Sequence, residues 1–353
     1  MKKLITSDRV LKKNVGGNST YAMNLYANLP KFDWVIDIRT FSQNSRIISM
    51  FNEAKLGNSD FHGVIHFPAD TGVIHPKRIP IVTTVHGNAS LHVPGIRSKI
   101  ENCIWNERVK LACHASTGIV TVSENSKKDI VESLHIAPDS IKVIYHGINH
   151  EIFKPLAADI EFEIVTNILK EKFQIVGDFV LFLGNLEPRK NLKSLVAAVK
   201  SPNWPGDLKL VVVGRYAWGD KSILSEISNN SKIIYLGFIP TGDVVNLLRA
   251  AKCLVFPSLY EGWGFPVIEA LAVGCSVISS TRGALVESTQ GNALYLQDPE
   301  SPEEIVGLVR KVLENPSDML KMKESGIIFA KEFTWEKSAK EHDAFFTTVS
   351  DGF

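Results

Sequence analysis

The sequence predicts an α/β protein that consists of two doubly wound domains, each with a parallel sheet between layers of helices. Two observations support this fold class. Short runs of apolar and β-branched residues, typical of strands buried on both faces, alternate with longer amphipathic segments. The alternation is interrupted once, by a turn-rich and acid-bearing stretch that extends to about Glu171, and then starts again. We therefore predict a domain on each side of this stretch.

Length and composition agree with a globular protein. A chain of 353 residues can bury two separate cores, and its hydrophobic content of 44% and charged content of 22% are ordinary. The formal net charge of +1 argues against a nucleic-acid partner. The cysteines show no CxxC spacing, so we expect reduced core thiols rather than a disulfide framework or a zinc site; they are Cys103, Cys113, Cys253 and Cys275.

The chain shows no sign of a membrane-spanning helix. No apolar run approaches the roughly 18 uninterrupted residues of such a helix, and the apolar run at the start is too short for a signal peptide. We therefore expect a cytoplasmic protein. Peripheral contact with the inner face of a membrane stays open as an addition to this expectation.

In the amino-terminal half, apolar runs predict strands at residues 4–6, 34–38, 63–67, 79–85, 118–122 and 141–145. Gly16 and Gly17 lie between the first strand and a segment with helical apolar spacing. A glycine pair at that place allows close approach of the backbone to a phosphate or a sugar, although a plain turn explains it equally well.

Two further features of this half bear on function. His86 follows the fourth strand, and ligands of open α/β sheets bind beyond the carboxyl ends of strands; a histidine that caps a local turn is the alternative. Residues 96–115 carry Ile100, Ile104, Leu111 and Ala112 among basic residues. We predict an amphipathic helix that covers the sheet, with contact to anionic lipid as the alternative.

The carboxyl-terminal half repeats the alternation. Strands are predicted at residues 179–183, 208–213, 233–236, 253–256 and 276–280, and helices at 192–200, 247–251, 302–313 and 319–333. The most informative stretch begins with the strand at 253–256. A loop with two glycines follows it, Pro266 stands at a helix start, and Gly274 stands just past the helix end.

This strand, loop and helix together predict a ligand site. The free N–H groups at the helix start favour an anion. Glu261 and Glu269 lie eight residues apart beside them, and carboxylates suit the hydroxyl groups of a sugar or ribose better than a phosphate. Arg189 and Lys190 directly precede another helix, where they could neutralise a diphosphate, although exposed loop cations are the simpler alternative. The combination predicts a nucleotide-sugar site.

These stretches resemble the retaining glycosyltransferases of family 4, which have the GT-B fold of two Rossmann-like doubly wound domains facing a central cleft. The resemblance covers nearly the whole chain and is densest from Val180 to Glu287. Its carrying motifs are Leu183-Gly-Asn-Leu-Glu-Pro-Arg-Lys-Asn-Leu192, Phe256-Pro-Ser-Leu-Tyr-Glu-Gly-Trp-Gly-Phe-Pro-Val-Ile-Glu-Ala270, Val15-Gly-Gly17, Thr84-Val-His-Gly87, Thr121-Val-Ser-Glu-Asn-Ser126 and His146-Gly-Ile-Asn149.

The resemblance implies a role for each matched position. Glu269 would bind the ribose hydroxyls and Glu261 the hydroxyls of the donor sugar. Arg189 and Lys190 would neutralise the diphosphate, with help from backbone N–H groups after Gly264. His86 would face the donor sugar near its anomeric carbon. The remaining donor-binding positions would be Gly16, Gly17, Gly184, Gly214, Tyr260, Gly262, Trp263 and Phe265.

The resemblance also implies a division of labour. Residues 1–155 would form the acceptor-side domain, on which a final helix at 335–353 packs back, and residues 156–334 would bind the nucleotide sugar. Two positions depart from the family pattern: many relatives carry Asn in place of His146, and some carry a basic residue in place of Asn18.

The implied reaction is transfer of a hexose, with retention at the anomeric carbon, to a saccharide or lipid-linked acceptor in surface glycan synthesis. The Pro-Arg-Lys-Asn loop is similar to that of relatives that use GDP-mannose, so mannose is favoured, with UDP- and dTDP-sugars as alternatives. A sugar-nucleotide epimerase with a similar fold is one rival class. A catalytically silent binding or scaffold protein is the other, although the charged motif residues argue against it. The chain has no Asp-x-Asp sequence, so we expect neither a metal nor a cofactor.

Overall fold

A computed structural model describes residues 2–11, 16–40, 56, 63–75, 78–96 and 98–352. The chain divides into two compact units, residues 1–147 with 333–353 and residues 148–332. Each unit contains a six-stranded sheet in which all pairings are parallel. The predicted α/β class with two doubly wound sheets is therefore confirmed. The assignment of acceptor and donor roles to two domains stays a prediction.

The first unit has the strand order β2-β1-β3-β4-β5-β6. Its strands are β1 (Lys2–Ser7), β2 (Trp34–Arg39), β3 (Val64–Phe67), β4 (Ile81–Val85), β5 (Gly118–Thr121) and β6 (Ile141–Val143). Its helices are α1 (Gly17–Asn28), α2 (Ala89–His92), α3 (Lys99–Ala115) and α4 (Glu124–Leu134), with short 3₁₀ turns at Leu29–Phe32 and Pro138–Ser140. Three of the four inner strands, β3, β4 and β5, are buried throughout, as their continuous apolar runs predict.

The second unit has the strand order β12-β11-β10-β7-β8-β9. Its strands are β7 (Phe179–Leu183), β8 (Lys209–Val213), β9 (Ile233–Gly237), β10 (Cys253–Phe256), β11 (Ser276–Ser280) and β12 (Leu294–Leu296). Its helices are α5 (Asp159–Phe173), α6 (Leu192–Lys200), α7 (Ser222–Ser228), α8 (Thr241–Ala250), α9 (Phe265–Ala272), α10 (Leu285–Thr289), α11 (Pro302–Glu314) and α12 (Pro316–Ala330), with a 3₁₀ turn at Pro188–Lys190. The chain progression reverses between β7 and β10, so this sheet has its topological switch point there.

The last helix, α13 (Trp335–Asp351), belongs to the first unit. Asp343 accepts hydrogen bonds from Lys2 Nζ at 2.6 Å and from Trp34 Nε1 at 2.9 Å, so it is tied to the starts of β1 and β2. Phe346 is fully buried beneath the helix. Gly147 lies so close to α13 that a Cβ atom there would stand 2.1 Å from the backbone nitrogen of Trp335.

A helix and a strand in the structure were not predicted from the sequence. The stretch read as irregular contains α5, in which Val165 is buried while Ile160, Ile164 and Ile168 are exposed. Because its apolar residues do not mark one buried face, the helical period was not visible in the sequence. The prediction for β12 was missing, since a three-residue strand is too short for a periodicity.

The amphipathic helix expected at 96–115 exists as α3, but of its four predicted apolar residues only Ala112 is buried. Ile100, Ile104 and Leu111 are 74%, 57% and 43% exposed. The sheet is covered instead by the opposite side of the helix, which carries Val109 and Cys113. The cysteine prediction needs the same kind of correction: none is in a disulfide, but Cys103 is exposed rather than in the core.

A glycine at the carboxyl edge of the second sheet gives a stability prediction. Gly214 has a φ of +141°, and a Cβ atom there would lie 1.9 Å from the carbonyl oxygen of Gly184. Gly214→Ala should therefore lower the free energy of unfolding by about 1–3 kcal/mol, measured by urea denaturation. The control is Gly307→Ala inside α11, where a Cβ meets no atom within 4 Å. That change should raise stability by about 0.5–1 kcal/mol. Equal stability of the two variants would contradict the steric argument.

Candidate functional site

The candidate site of the second unit lies where β7 and β10 end side by side. The loops that leave these strands, residues 184–191 and 257–264, start from the same sheet edge at the topological switch point. The backbone N–H of Leu259 donates to the carbonyl of Arg189 at 2.8 Å. The Asn191 amide donates to the carbonyls of Pro257 at 3.2 Å and Pro299 at 2.6 Å. These bonds join the two loops into one surface.

Glu261 is the centre of this surface. Lys190 Nζ lies 2.6 Å from Glu261 Oε1, and Arg189 Nη1 lies 2.8 Å from Glu261 Oε2. Arg189 Nη1 also donates to the carbonyl of Tyr260 at 2.8 Å. Lys190 Nζ is 4.7 Å from the centre of the Phe256 ring, which adds a cation–π contact. The structure thus brings the predicted acid and both predicted cations together.

Burial and opposite charge compete at Glu261. Burial raises the pKa of Glu261, but the charges of Arg189 and Lys190 have the larger, opposite effect. The net result is a pKa lowered to about 2. Burial lowers the pKa of Lys190, and the attraction of Glu261 only partly offsets this effect. Glu261 is therefore a carboxylate at neutral pH, and both its oxygens accept charge-assisted hydrogen bonds.

Glu187 is a fourth charged member that the sequence did not single out. Its Oε1 accepts from Arg189 Nη2 at 2.5 Å, and its Oε2 accepts from Trp218 Nε1 at 3.2 Å. Arg189 is thus held between two carboxylates, and the formal charges of Glu187, Glu261, Arg189 and Lys190 sum to zero. The acid two residues before Arg189 was visible in the motif, but only the fold shows that both side chains point the same way.

Glu269 differs from Glu261 in the partners of its carboxyl group and in the direction in which its pKa is shifted. It lies in α9, is half-buried, and has no hydrogen-bond or ion-pair partner for its carboxyl group among the residues that the structure describes. Burial raises its pKa to about 7. The two acids that looked alike in the sequence therefore comprise one carboxylate engaged by cations and one carboxyl group open to a ligand.

The loop before α9 depends on close backbone contacts. Gly264 has a φ of +100° and precedes the first residue of α9, Phe265. Gly283 lies against Glu261: a Cβ atom there would stand 2.3 Å from the Glu261 carbonyl oxygen, to which Ala284 N–H donates at 2.9 Å. Gly283 is not among the predicted positions, because it lies beyond the motif.

The other predicted positions of this unit lie in or beside the same loops. Gly184 lies beside the Lys190 side chain, with 3.5 Å between a Cβ atom at that position and Lys190 Cε, and Gly214 packs on its carbonyl. Tyr260 and Trp263 are buried, and Gly262 is half-buried in the same loop. No group of three or more His, Cys, Asp or Glu residues within the described ranges is arranged to hold a metal ion.

His86 lies in the first unit, directly after β4. Its Nε2 is 2.7 Å from the carbonyl oxygen of Pro68, and its backbone N–H donates to Asp70 Oδ1 at 2.8 Å. Burial lowers the pKa of His86, which Asp70 opposes. Gly16 precedes α1 with a φ of +94°, and Gly17 is the first residue of that helix. Val15 of the predicted glycine motif lies outside the described residues.

A buried histidine cluster surrounds His86. The ring of Tyr21 is 5.0 Å from that of His86 and 4.8 Å from that of His146, and its hydroxyl is 2.8 Å from His342 Nε2. His66 is fully buried. Burial lowers the pKa of His66 and His146, and that of His342 to about 4. No local spacing in the sequence indicates this cluster, because its members are far apart in the chain.

Comparison with solved structures defines the fold. The chain superposes on sucrose-phosphate synthase of Thermosynechococcus elongatus with a TM-score of 0.80 and 16% identity, over 100% of both chains. It superposes on Anabaena HepE in complex with UDP and glucose with a TM-score of 0.80 and 15% identity, over 99% of this chain and 100% of that one. The protein has the GT-B fold, as predicted.

Sequence comparison then gives the family. Residues 167–329 match the family described as Glycosyl transferases group 1, and residues 53–152 match Glycosyltransferase Family 4. The chain belongs to these group 1 and family 4 glycosyltransferases, and the resemblance stated above is confirmed.

Two relatives from Escherichia coli carry mannosyltransferase names. O-antigen chain mannosyltransferase B is 26% identical over 72% of this chain and 67% of its own length. The serotype-specific mannosyltransferase WbdA is 25% identical over 63% of this chain, but the matched region is only 27% of that longer protein. In the described part of the present chain, no helix is long and apolar enough to cross a membrane.

The ion pairs of Glu261 generate a prediction on stability. Glu261→Gln leaves two buried cations with one fewer negative charge and should lower the free energy of unfolding at pH 7 by about 3 kcal/mol. The matched control is Glu226→Gln, which breaks an exposed pair with Lys200 and should cost less than about 1 kcal/mol. Chemical denaturation of both variants measures the difference.

A comparison of the unchanged protein with Glu261→Gln tests the pH dependence of these ion pairs. The pKa of Glu261 is lowered in the fold from 4.5, so its stabilisation is complete above pH 4.5 and is lost as the pH falls towards 2. The stability difference between the unchanged protein and Glu261→Gln should therefore shrink below pH 4.5. A difference that is undiminished at pH 3 would contradict the assigned ion pairs.

Proposed function

We propose that this protein is a retaining glycosyltransferase that moves a hexose from a nucleotide sugar to a saccharide or lipid-linked acceptor. The observation that carries the proposal is the pairing of two unlike acids at one sheet edge. Glu261 is ionised between Arg189 and Lys190, and Glu269, in the helix that follows the Glu261 loop, has no partner for its carboxyl group among the described residues. Membership of the glycosyltransferase family supports the same reaction class.

Each charged group has a proposed role toward the donor. Glu269 accepts hydrogen bonds from the ribose hydroxyls, which suits a carboxyl group that no residue in the described part of the chain contacts. Glu261 accepts hydrogen bonds from hydroxyls of the transferred sugar. Lys190 and Arg189, with the N–H groups at the start of α9, stabilise the diphosphate. Backbone contributions come from the glycine loops at Gly184, Gly214 and Gly264.

The charge balance of the site agrees with these roles. Lys190 has three N–H groups and Arg189 five, of which the protein contacts described above use one and three. Both cations therefore retain donors for phosphate oxygens. Because the cluster is neutral overall, a sugar hydroxyl that takes over part of the Glu261 interaction leaves more positive charge for the diphosphate.

The proposed reaction exchanges one bond to the anomeric carbon for another on the same face. The bond from this carbon to the diphosphate oxygen breaks with its electron pair on the diphosphate. The acceptor oxygen forms the new bond, and its proton passes to the departing diphosphate. Stabilising the developing negative charge is the main task of the protein, and a well-placed donor contributes about 3 kcal/mol to such a step.

Mannose from GDP-mannose is the proposed donor. The relatives named as mannosyltransferases support it, as does the Pro-Arg-Lys-Asn loop. The UDP bound to HepE supports the alternative of a UDP-sugar, and a dTDP-sugar is a further one. The acceptor is proposed to be a growing surface glycan, which the name of one relative, O-antigen chain mannosyltransferase B, supports. Location in the cytoplasm, with peripheral contact to the inner membrane face, stays a prediction.

A binding experiment separates the two acids. Thermal-shift measurements with GDP-mannose, UDP-glucose and dTDP-glucose identify the donor, since a ligand at 100 times its Kd adds roughly 2.7 kcal/mol of stability. Glu269→Gln should weaken binding of the chosen donor and of its nucleoside diphosphate alike, by about tenfold. Glu261→Gln should weaken binding of the donor but not of the nucleoside diphosphate. Glu226→Gln is the surface control. Equal loss in both acid variants would remove the separate roles.

The turnover experiment tests the reaction class. With donor and acceptor present, NMR should show a glycoside whose anomeric configuration equals that of the donor. A sugar-nucleotide epimerase would instead convert the donor with no acceptor present, and that result would overturn the proposal.

Independence of metal ions is part of the proposal. Arg189, Lys190 and the start of α9 supply positive charge at the diphosphate, so EDTA should leave the transfer rate unchanged. The measurement is the initial rate in protein dialysed against EDTA, with Mg²⁺ or Mn²⁺ added back. Activity that disappears with EDTA and returns with either ion would contradict this part.

A further inference from the structure

Helix α5 (Asp159–Phe173) exposes a stripe of isoleucines to solvent. Ile160, Ile164 and Ile168 follow one another at four-residue spacing, so their side chains lie on one side of the helix. In the described part of the chain these residues are 63%, 53% and 37% exposed. Single exposed apolar residues are common on protein surfaces, but three large ones in succession form a patch of the kind found at contact surfaces.

The isoleucine stripe is not the face that attaches α5 to its own unit. Val165 and Leu169, each one residue beyond an isoleucine and so about 100° further around the helix axis, are buried. Helix α5 packs against α8, where Lys172 Nζ lies 2.5 Å from Asp243 Oδ2. Polar residues in the stripe would leave these contacts unchanged, so packing within this unit does not account for the isoleucines.

The charges beside the stripe change sign along α5. Glu161 and Glu163 are in its first half, and Lys170 and Lys172 are in its second half. About three turns separate Glu161 from Lys172, so these two lie on one side of the stripe; about two turns separate Glu163 from Lys170, which lie on the other side. Each side therefore has an acid near the helix start and a base near the helix end.

This order of charges is complementary to a second α5 that points in the opposite direction. About a two-fold axis between residues 166 and 167, Glu161 of one copy lies opposite Lys172 of the other, and Glu163 lies opposite Lys170. A parallel pair would instead place acid against acid and base against base. The opposed helix dipoles also favour the antiparallel pair.

The apolar stripe fits the same two-fold axis. Ile164 and Ile168 stand on either side of residues 166 and 167, so in the antiparallel pair they pack against their counterparts at the centre of the contact. A membrane surface matches α5 less well. The helix contains four acidic residues and two lysines, so an anionic bilayer would repel it.

We propose that α5 joins two copies of this chain in an antiparallel contact, with the isoleucine stripe at its centre and the charged residues at its edges. None of these residues belongs to the candidate nucleotide-sugar site, so the contact goes beyond the proposed function and does not depend on it. One 15-residue helix per copy provides less than the roughly 1,200 Å² of a standard stable interface. We therefore expect a dimer that dissociates at micromolar concentrations.

The first experiment measures the association of the full chain. Sedimentation velocity between about 1 and 100 μM should show a monomer that converts to a dimer as the concentration rises. Ile164→Lys places two like charges at the centre of the contact and should raise the Kd of the dimer by at least about tenfold. The matched control is Ile328→Lys in α12, the same change at a residue that is 68% exposed on another helix of this unit. It should leave the Kd unchanged.

The second experiment tests the direction of the two helices. Glu163→Lys and Lys170→Glu, each alone, bring like charges together at both ends of an antiparallel contact, so each should raise the Kd several-fold. The double variant Glu163→Lys/Lys170→Glu restores opposite charges and should return the Kd to that of the unchanged protein. In a parallel contact the single variants would keep like charges against each other and would not weaken the dimer.

The edge pair of Glu163 and Lys170 is the more informative one to exchange. Glu161 Oε2 already accepts from the backbone N–H of Ala157 at 2.7 Å, and Lys172 is paired with Asp243. Glu163 and Lys170 are exposed, so exchanging their charges leaves these contacts intact. Circular dichroism of each variant checks its folding. Should Ile164→Lys fail to fold, the three charge variants still decide the question.

The remaining outcomes contradict the proposal. A chain that stays monomeric at about 100 μM would overturn it, and so would a dimer that Ile164→Lys leaves intact. Single charge variants with an unchanged Kd would overturn the antiparallel arrangement. A monomer that sediments with phosphatidylcholine vesicles, and loses this property in Ile164→Lys, would assign the stripe to a membrane instead. None of these measurements uses sugar transfer, so a failure of the proposed function would leave them valid.

Discussion

The second unit depends on one buried electrostatic arrangement, in which Glu261 is held between Arg189 and Lys190. Three charges at a sheet edge are costly to bury, and each is tolerated only because the others are present. The arrangement fixes the two loops that leave β7 and β10, because the cations belong to one loop and the carboxylate to the other. Glu187 extends it to Trp218 after β8. The geometry of the edge thus follows from the neutralisation of charge.

Much of the fold could be predicted because its strands are buried on both faces. Phe179–Leu183, Cys253–Phe256 and Ser276–Ser280 have the observed bounds, since a continuous apolar run between turn residues has one interpretation in an α/β chain. Helices with exposed apolar residues were less predictable. The spacing of hydrophobic residues in α3 and α5 does not show which of them the fold buries. The buried face of α3 was therefore predicted mostly wrongly, and α5 was not predicted.

The location of the second unit's candidate residues was predictable from the sequence, but their pKa values and partners were not. Parallel strands that end at one edge had to bring Arg189, Lys190 and Glu261 close together, and the sequence contains that information. It does not contain the difference between Glu261 and Glu269, because the pKa of an acid is set by the groups that the fold places around it. Gly283 shows the same limit, since its contact with the Glu261 backbone joins residues that share no motif.

The two units handle buried polarity in opposite ways, and this explains which residues were found. The second unit pairs charges, and charged residues in glycine loops are conspicuous in a sequence. The histidine cluster of the first unit is uncharged: His66 and His342 have lowered pKa values and are joined to Thr84 and Tyr21 by hydrogen bonds between neutral groups. Neutral groups can be packed without counter-ions, so their members can come from any element. Those members stand at positions 21, 66, 84, 86, 146 and 342, and no local spacing connects them. For a cluster of this kind, the sequence supplies the strand end that carries His86, and only the packed structure supplies the residues that contact it.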